Sequence, residues 1–124
     1  YFLFPHFNVK NNLIFSLPKQ TRNKKEQALD YLKQINMVEF SDHYPSELSG
    51  GQKARIACLR AIASNPDALL LDEPFSSLDK KTMKSFQKFL FDYVKKLNIP
   101  CIIVSHRLLK NLNNSMELNI TKFT

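Results

Sequence analysis

Apolar residues recur at helical spacing in three segments of this chain. From Lys24 to Met37 they return every three or four positions, which predicts an amphipathic helix. Residues 51–63 follow a similar pattern, begin just after Ser49, which favours a helix start, and stop before a turn that contains Pro66. A third helix is predicted over Lys80–Leu97.

Two short runs with few polar residues, Ala68–Asp72 and Cys101–Ser105, predict β-strands. Because a helix lies between them, we expect the strands to pair in parallel within a sheet that is covered on both faces. A half-buried closing strand is predicted where Met116, Leu118 and Ile120 alternate with polar residues. The first fifteen residues are rich in phenylalanine, and Pro5 prevents one continuous helix there.

Composition places the chain among globular proteins and excludes several classes. Its 124 residues are 44% hydrophobic and 23% charged, without a run near the roughly 20 apolar residues of a membrane span. A basic leader typical of a signal peptide is also missing. The net charge of +7 comes without a nucleic-acid motif, so we expect no nucleic-acid partner. Cys58 and Cys101 lie in apolar segments, which favours reduced, buried thiols in the cytosol.

The first candidate site is a pair of carboxylates, Asp72 and Glu73, directly after the first predicted strand. Ligands bind at the carboxyl ends of parallel strands in α/β folds. Neighbouring strand residues point to opposite sides, so the two carboxylates would serve different partners. A strand that simply ends in a solvated acidic turn is the alternative.

The second candidate site is the segment Leu48-Ser49-Gly50-Gly51-Gln52 at a predicted helix start. Backbone N–H groups are free there, glycines leave room for a phosphate, and the helix dipole favours an anion. A plain helix cap followed by a glycine turn is the alternative.

With Ser76-Ser77-Leu78-Asp79 and His106, these segments resemble the motifs of an ATP-binding cassette (ABC) ATPase in order and spacing, over residues 1–110. The resemblance implies an α/β fold: the carboxyl-terminal part of a P-loop NTPase (RecA-like) core with parallel strands, plus an α-helical subdomain. It divides the chain into residues 1–64, which comprise the Q-loop remnant and the helical subdomain, and residues 65–124, which belong to the core.

The resemblance also implies a role for each site residue, with ATP and Mg²⁺ as cofactors. Asp72 would hold Mg²⁺ through water, and Glu73 would orient or deprotonate the attacking water. Ser49–Gln52 would be the signature motif, which closes over the ATP of a second ABC subunit in a head-to-tail dimer. Asp79 would lie in the D-loop at that dimer interface, and His106 would be the switch histidine that contacts the γ-phosphate.

Upstream, Leu3–His6 resembles the segment of importer ATPases that receives the coupling helix of the transmembrane permease. The implied protein is peripheral, at the cytoplasmic face of the membrane, and couples ATP hydrolysis to solute uptake. A molybdate-like oxyanion is the suggested cargo. Importers often have an acidic residue where Arg107 follows His106 here.

Gly50 and Gly51 are the chain's only glycines, so it holds no Walker A P-loop (Gly-x-x-x-x-Gly-Lys-Ser/Thr). We therefore expect a fragment that binds ATP weakly and hydrolyses none by itself. One alternative is a P-loop-less interaction subunit that supplies its signature motif in trans. Another is a non-transport ABC ATPase of translation or DNA repair, although the second cassette or coiled-coil insertion usual in such proteins is missing.

Overall fold

The computed structural model describes residues 2–106, within which the chain forms four α-helices and two β-strands. Two 3₁₀ turns, Val38–Phe40 and Pro45–Glu47, lie between the second and third helices. The elements follow the order α1, α2, α3, β1, α4 and β2. Their bounds are Val9–Ser16 (α1), Lys24–Gln34 (α2), Gly50–Ala63 (α3), Leu69–Asp72 (β1), Lys80–Leu97 (α4) and Cys101–Val104 (β2).

Helix α1 has no counterpart among the elements predicted from sequence. Its cap is Asn8, whose side chain accepts a hydrogen bond from the Asn11 amide at 2.8 Å. The helix buries Val9 and Leu13 completely and packs against both α2 and α3. Its apolar residues do not recur with a clear helical period, because it contacts neighbours on more than one side. Periodicity alone therefore did not reveal it.

The three predicted helices are confirmed, with small changes at their ends. Helix α2 stops at Gln34, three residues before the predicted end at Met37. The reason is a Schellman motif: Asn36 is left-handed (φ 54°), and the amides of Asn36 and Met37 donate to the carbonyls of Lys33 and Leu32. Helix α3 begins one residue earlier than predicted, with Ser49 as its cap, and α4 has the predicted bounds.

Strands β1 and β2 pair in parallel, as predicted, with Leu69 opposite Cys101 and Asp72 opposite Val104. Leu69 and Leu71 are buried, whereas Leu70 on the other face is 74% exposed. The expectation of a sheet covered on both faces is therefore wrong for residues 2–106. The physical reason is that the described helices bury only one face of the sheet.

The buried face belongs to one hydrophobic core that the helices and strands share. Ile56, Leu59 and Ile62 of α3 are fully buried at its centre, and Phe75, after β1, is also fully buried. The Phe75 ring meets that of Phe86 in α4 edge-on, with centroids 6.1 Å apart. This core contains residues from both sides of the proposed boundary at residue 64, so the two-part division stays a prediction.

Within residues 2–106, the helices are too short or too polar to cross a membrane. The predicted closing strand around Met116–Ile120, and Arg107, lie outside the described residues.

Candidate functional site

The structure brings Glu73 and His106 together at the carboxyl ends of the two parallel strands. The Glu73 amide donates to the Val104 carbonyl at 2.8 Å, which extends the strand pairing by one residue. The His106 amide donates to Glu73 Oε1 at 2.8 Å, and His106 Nε2 lies 3.5 Å from the same oxygen. The Glu73 side chain is 26% exposed and that of His106 is 96% exposed. A half-buried carboxylate is thus held by backbone beside an accessible imidazole.

Asp72 is the last residue of β1, and it is exposed on the same face as Leu70. Glu73 lies beyond the strand and adopts a left-handed conformation with φ 49°. The two carboxylates are therefore separated by a change of backbone conformation, and not by strand alternation as the sequence suggested. A left-handed non-glycine residue costs about 1–3 kcal/mol, and such residues cluster at functional sites.

The described residues contain no group of three or more histidine, cysteine or acidic side chains that could enclose a metal ion. A lone exposed carboxylate such as Asp72 still suits Mg²⁺, which keeps several waters and is held by one or two carboxylates together with substrate phosphates. The donor set thus fits the expected ion only when phosphate oxygens complete its shell.

The start of helix α3 is a reciprocal capping box. Ser49 Oγ accepts a hydrogen bond from the Gln52 amide at 3.3 Å, and Gln52 Oε1 accepts one from the Ser49 amide at 2.8 Å. The first four N–H groups of a helix have no carbonyl of their own helix to bind. The box satisfies two of them, and those of Gly50 and Gly51 find no acceptor within residues 2–106. Gly50 is exposed whereas Gly51 is buried, so the Gly50 amide is the one that an anion can approach at this dipole-positive helix end.

The packing around the two glycines differs: position 51 has no room for a side chain, whereas position 50 does. A Cβ on Gly51 would lie 2.8 Å from the Ser77 carbonyl oxygen and 2.9 Å from Leu78 Cδ2. A Cβ on Gly50 would meet nothing closer than Ser77 Oγ at 3.9 Å. The predicted D-loop, residues 76–79, therefore rests directly on the first turn of α3. Sequence reasoning placed both segments near a nucleotide but did not predict this contact, because residues far apart in sequence carry no local signal of it.

Asp79 serves as the N-cap of α4. Its Oδ1 accepts hydrogen bonds from the Lys81 and Thr82 amides at 3.0 Å, and the Thr82 hydroxyl donates to Oδ2 at 2.6 Å. The Thr82 side-chain and backbone bonds are the main reasons that the pKa of Asp79 lies below its usual value. The carboxylate thus orients the D-loop where it joins α4.

An aromatic cluster, made of Phe4, His6, Phe7 and Phe15, occupies the amino-terminal end of the described chain. The Phe15 side chain is 62% exposed, and Pro5 and His6 are exposed too. The fully buried Asn12 side chain accepts from the Phe4 amide and donates to the Phe4, Phe7 and Asn8 carbonyls. The segment predicted to receive a coupling helix is therefore a firmly held apolar surface.

Sequence reasoning missed two residues that hold this surface, Asn12 and Arg60. Arg60, near the end of α3, places its guanidinium carbon 4.1 Å from the centroid of the Phe4 ring and donates to the Phe2 carbonyl. Asn12 gives no signal in the sequence, because it follows Lys10 and Asn11 in a locally polar stretch. The sequence also gives no signal of the Arg60 contact, because Arg60 is 56 positions from Phe4.

Parallel strands joined by a crossover helix, with a carboxylate and a histidine at their carboxyl ends, indicate the α/β architecture of the P-loop NTPase fold. Comparison with known proteins agrees: the family described as ABC transporter matches residues 1–76. The chain therefore belongs to the ABC transporter family, as an ATP-binding domain.

Three similar proteins illustrate the match. A sulfate/thiosulfate import ATP-binding protein of Chlorella vulgaris is 39% identical over 121 residues, which are 95% of this chain and 50% of that protein. A methionine import ATP-binding protein of Oenococcus oeni is 41% identical over 86% of this chain and 33% of its own length. In structure, the ATP-binding cassette MJ0796, a dimer in a post-hydrolysis state with ADP and Pi, matches with TM-score 0.72 and 29% identity over 85% of this chain and 48% of that chain.

The chain thus spans half or less of the length of these relatives. The Chlorella vulgaris and Oenococcus oeni proteins are both named as import ATP-binding proteins. They differ in cargo, and molybdate is not among the cargoes they name.

Proposed function

We propose that this chain is part of the ATP-hydrolysing subunit of an ABC importer, in which ATP hydrolysis drives solute uptake. The observation that carries the proposal is the Glu73–His106 pair at the carboxyl ends of the parallel strands. A carboxylate held by a backbone amide keeps one fixed orientation, as a residue that positions water requires. The exposed imidazole beside it can reach a phosphate in front of the sheet.

Each residue at this edge has a distinct role in the proposal. The free oxygen of Glu73 accepts a hydrogen bond from the attacking water and orients it or takes its proton. His106 donates to an oxygen of the transferred phosphoryl group, where negative charge must be stabilised. Asp72, exposed next to them, would hold Mg²⁺ through water. The ion supplies neutralisation of phosphate charge when bound.

Ser49–Gln52 and Asp79 act on the nucleotide of a second subunit in a head-to-tail dimer. The cap bond uses one acceptor lone pair of Ser49 Oγ, so its O–H remains a donor for a phosphate oxygen. Together with the amide of the exposed Gly50, this gives two donors at one helix end. Asp79 sets the direction of residues 76–79, which would cross the interface next to them.

The aromatic surface around Leu3–His6 is the proposed contact with the transmembrane permease, at the cytoplasmic face of the membrane. Its support is the exposed Phe15, Pro5 and His6 on a segment fixed by Asn12. In this proposal the permease, and not this chain, selects the cargo. Relatives that are named for sulfate, methionine and polyamine import match this chain with similar sequence identity.

These 124 residues include no P-loop, so the β- and γ-phosphates lack their usual nest of amides and lysine. We expect no appreciable hydrolysis by this chain alone. A second candidate function follows from the Ser49 hydroxyl and the amide of the exposed Gly50: the chain completes the ATP site of a partner that has its own P-loop, and acts as an interaction subunit.

One experiment tests both functions. ATP hydrolysis is measured for the chain alone and mixed with a complete cassette subunit whose own signature serine is replaced. Activity restored in the mixture supports action in trans, provided that Ser49→Ala abolishes it and Ser46→Ala, an exposed serine just upstream, does not. If neither sample hydrolyses ATP, the importer proposal requires a P-loop in the same polypeptide as these residues. Hydrolysis by the chain alone would contradict the expected inactivity.

A further inference from the structure

We propose that Arg60 is a positioning residue that fastens the aromatic docking surface to the signature helix α3. The functional meaning of this link rests on the proposed permease contact, but the link itself can be tested without it. One end of α3 carries Ser49 and the glycine amides. Arg60 lies 11 positions further along, about 16 Å at the rise of an α-helix.

The Arg60 guanidinium makes two contacts with one segment. Its carbon lies over the Phe4 ring at 4.1 Å, and its Nη1 donates to the Phe2 carbonyl. Partial burial lowers the pKa of Arg60, although the group stays charged at neutral pH. A planar guanidinium can stack on a ring and donate sideways at the same time, whereas the compact ammonium of lysine is a poor replacement for both contacts.

Phe4 is the ring through which the rest of the surface is connected. It meets Phe15 of α1 edge-on at 4.9 Å and Phe7 at 5.6 Å, between ring centroids. Its amide and carbonyl are both bound to Asn12. A displacement of the docking surface therefore acts on Phe4 and, through Arg60, on α3 directly, in addition to the packing of α1 against α3.

The alternative is that Arg60 only covers apolar surface and adds general stability. The two readings differ in where a substitution acts. If Arg60 acts locally, its loss speeds amide exchange in residues 2–8 and leaves exchange in the core unchanged, because Asn12 and the buried face of α1 stay in place. Loss of general stability raises opening everywhere in proportion.

The test is amide hydrogen exchange of the full 124-residue chain carrying Arg60→Met, Arg60→Lys or the matched control Arg22→Met. Arg22 is an exposed arginine between α1 and α2. We expect exchange of the Phe4 and Phe7 amides to accelerate roughly tenfold in Arg60→Met, with Arg60→Lys between the two and Arg22→Met unchanged. Unchanged exchange at these amides, or equal acceleration in α3 and α1, would overturn the proposal.

A second arm separates this link from the permease contact. In an assembled transporter whose ATP-hydrolysing subunit contains these residues together with a P-loop, Arg60→Met should leave basal ATP hydrolysis within about twofold of the parent and lower cargo-stimulated hydrolysis several-fold. Faster exchange together with normal stimulation would keep the fastening but contradict the proposed docking role. Normal exchange together with lost stimulation would contradict the fastening.

Discussion

At the scale of single residues, the site depends on close approaches that few side chains permit. Gly51 lies against the Ser77 carbonyl, and Ser77 itself is left-handed with φ 60°. Glu73, also left-handed, turns the chain out of β1 so that its carboxylate meets the His106 amide. Local strain at Glu73 and Ser77 thus accompanies the placement of the carboxylate and of the D-loop.

Gly51→Ala should destabilise the fold, and Gly50→Ala should not. The new Cβ at position 51 would stand 2.8 Å from a carbonyl oxygen, so the D-loop or the helix start must shift. We expect a loss of about 1–3 kcal/mol in the free energy of unfolding for Gly51→Ala, as in other overpacked sites. Gly50→Ala, with open space around it, is the matched control and should stay within about 0.5 kcal/mol of the parent. Urea unfolding checks both, and equal losses would contradict the contact.

Cys58 should be chemically inert while the chain is folded. Burial, followed by the nearby Cys101 thiol, raises the pKa of Cys58 from 9.0 to about 12. A thiol reagent at pH 8 should therefore label Cys101, which is only partly buried, well before Cys58. Mass spectrometry of the labelled peptides decides the order, and rapid labelling of Cys58 would contradict its burial.

The same pKa shift predicts a loss of stability in alkali. The folded state keeps Cys58 protonated up to about pH 12, whereas the unfolded thiol ionises near pH 9.0. Above that pH the unfolded state binds fewer protons, so the stability falls as the pH rises from 9 towards 12. Urea midpoints over this range should fall less steeply in Cys58→Ala, and an identical slope would contradict the assignment to Cys58.

At the scale of elements, helix ends do most of the positioning. Ser49 with Gln52 starts α3, Asp79 starts α4, and left-handed Asn36 and Asn98 follow the ends of α2 and α4. Helices α2 and α4 also meet through the Tyr31 and Tyr93 hydroxyls, whose oxygens are 2.5 Å apart. The elements that carry the signature motif and the D-loop therefore have defined starts, and the helices around them are tied together by specific contacts.

Asp79→Ala should lower the thermal midpoint at pH 7, because two amides and the Thr82 hydroxyl lose their acceptor. Asp79→Asn is the control, since its amide oxygen can still cap the helix. The pKa of Asp79 is lower in the folded state, so its contribution is present above the unfolded value of 3.8 and is lost as the pH falls below it. Thermal unfolding should therefore show a smaller difference between the parent and Asp79→Asn at pH 2.5 than at pH 7. An equal difference at the two pH values would contradict the charge-assisted cap.

At the scale of the whole molecule, the described sheet has one covered face and one bare face. Leu70, Ile102 and Val104 are 74%, 63% and 50% exposed on the bare face. Contiguous exposed apolar surface of this kind mediates association. Residues 2–106 therefore combine a packed core with an exposed apolar surface on the sheet.

Leu70→Lys should reduce self-association of the isolated chain without unfolding it. The side chain is mostly exposed, so a lysine can be accommodated, whereas Leu71→Lys would place a charge in the core and serves as the contrasting variant. Sedimentation at several concentrations, together with binding of a hydrophobic dye, measures the effect. A parent chain that stays monomeric and binds no dye would contradict the prediction.

The sequence by itself determined the family of this protein and, apart from helix α1 and the two 3₁₀ turns, the helices and strands of residues 2–106. Helices α2, α3 and α4, the parallel strand pair and the Ser49 cap follow from spacing and cap residues, which act within a few positions along the chain. The order of motifs from Leu48 to His106 identified an ABC ATPase. These features are local or ordered along the chain, so they can be read without coordinates.

Only the tertiary structure decided how these pieces meet. It placed the His106 amide on the Glu73 carboxylate, the D-loop on Gly51 and Arg60 on Phe4, and within residues 2–106 it left one face of the sheet bare. Each of these contacts joins residues at least 26 positions apart, where neither propensity nor periodicity acts. They form because packing a shared core brings distant segments into contact, and that packing depends on the whole chain at once.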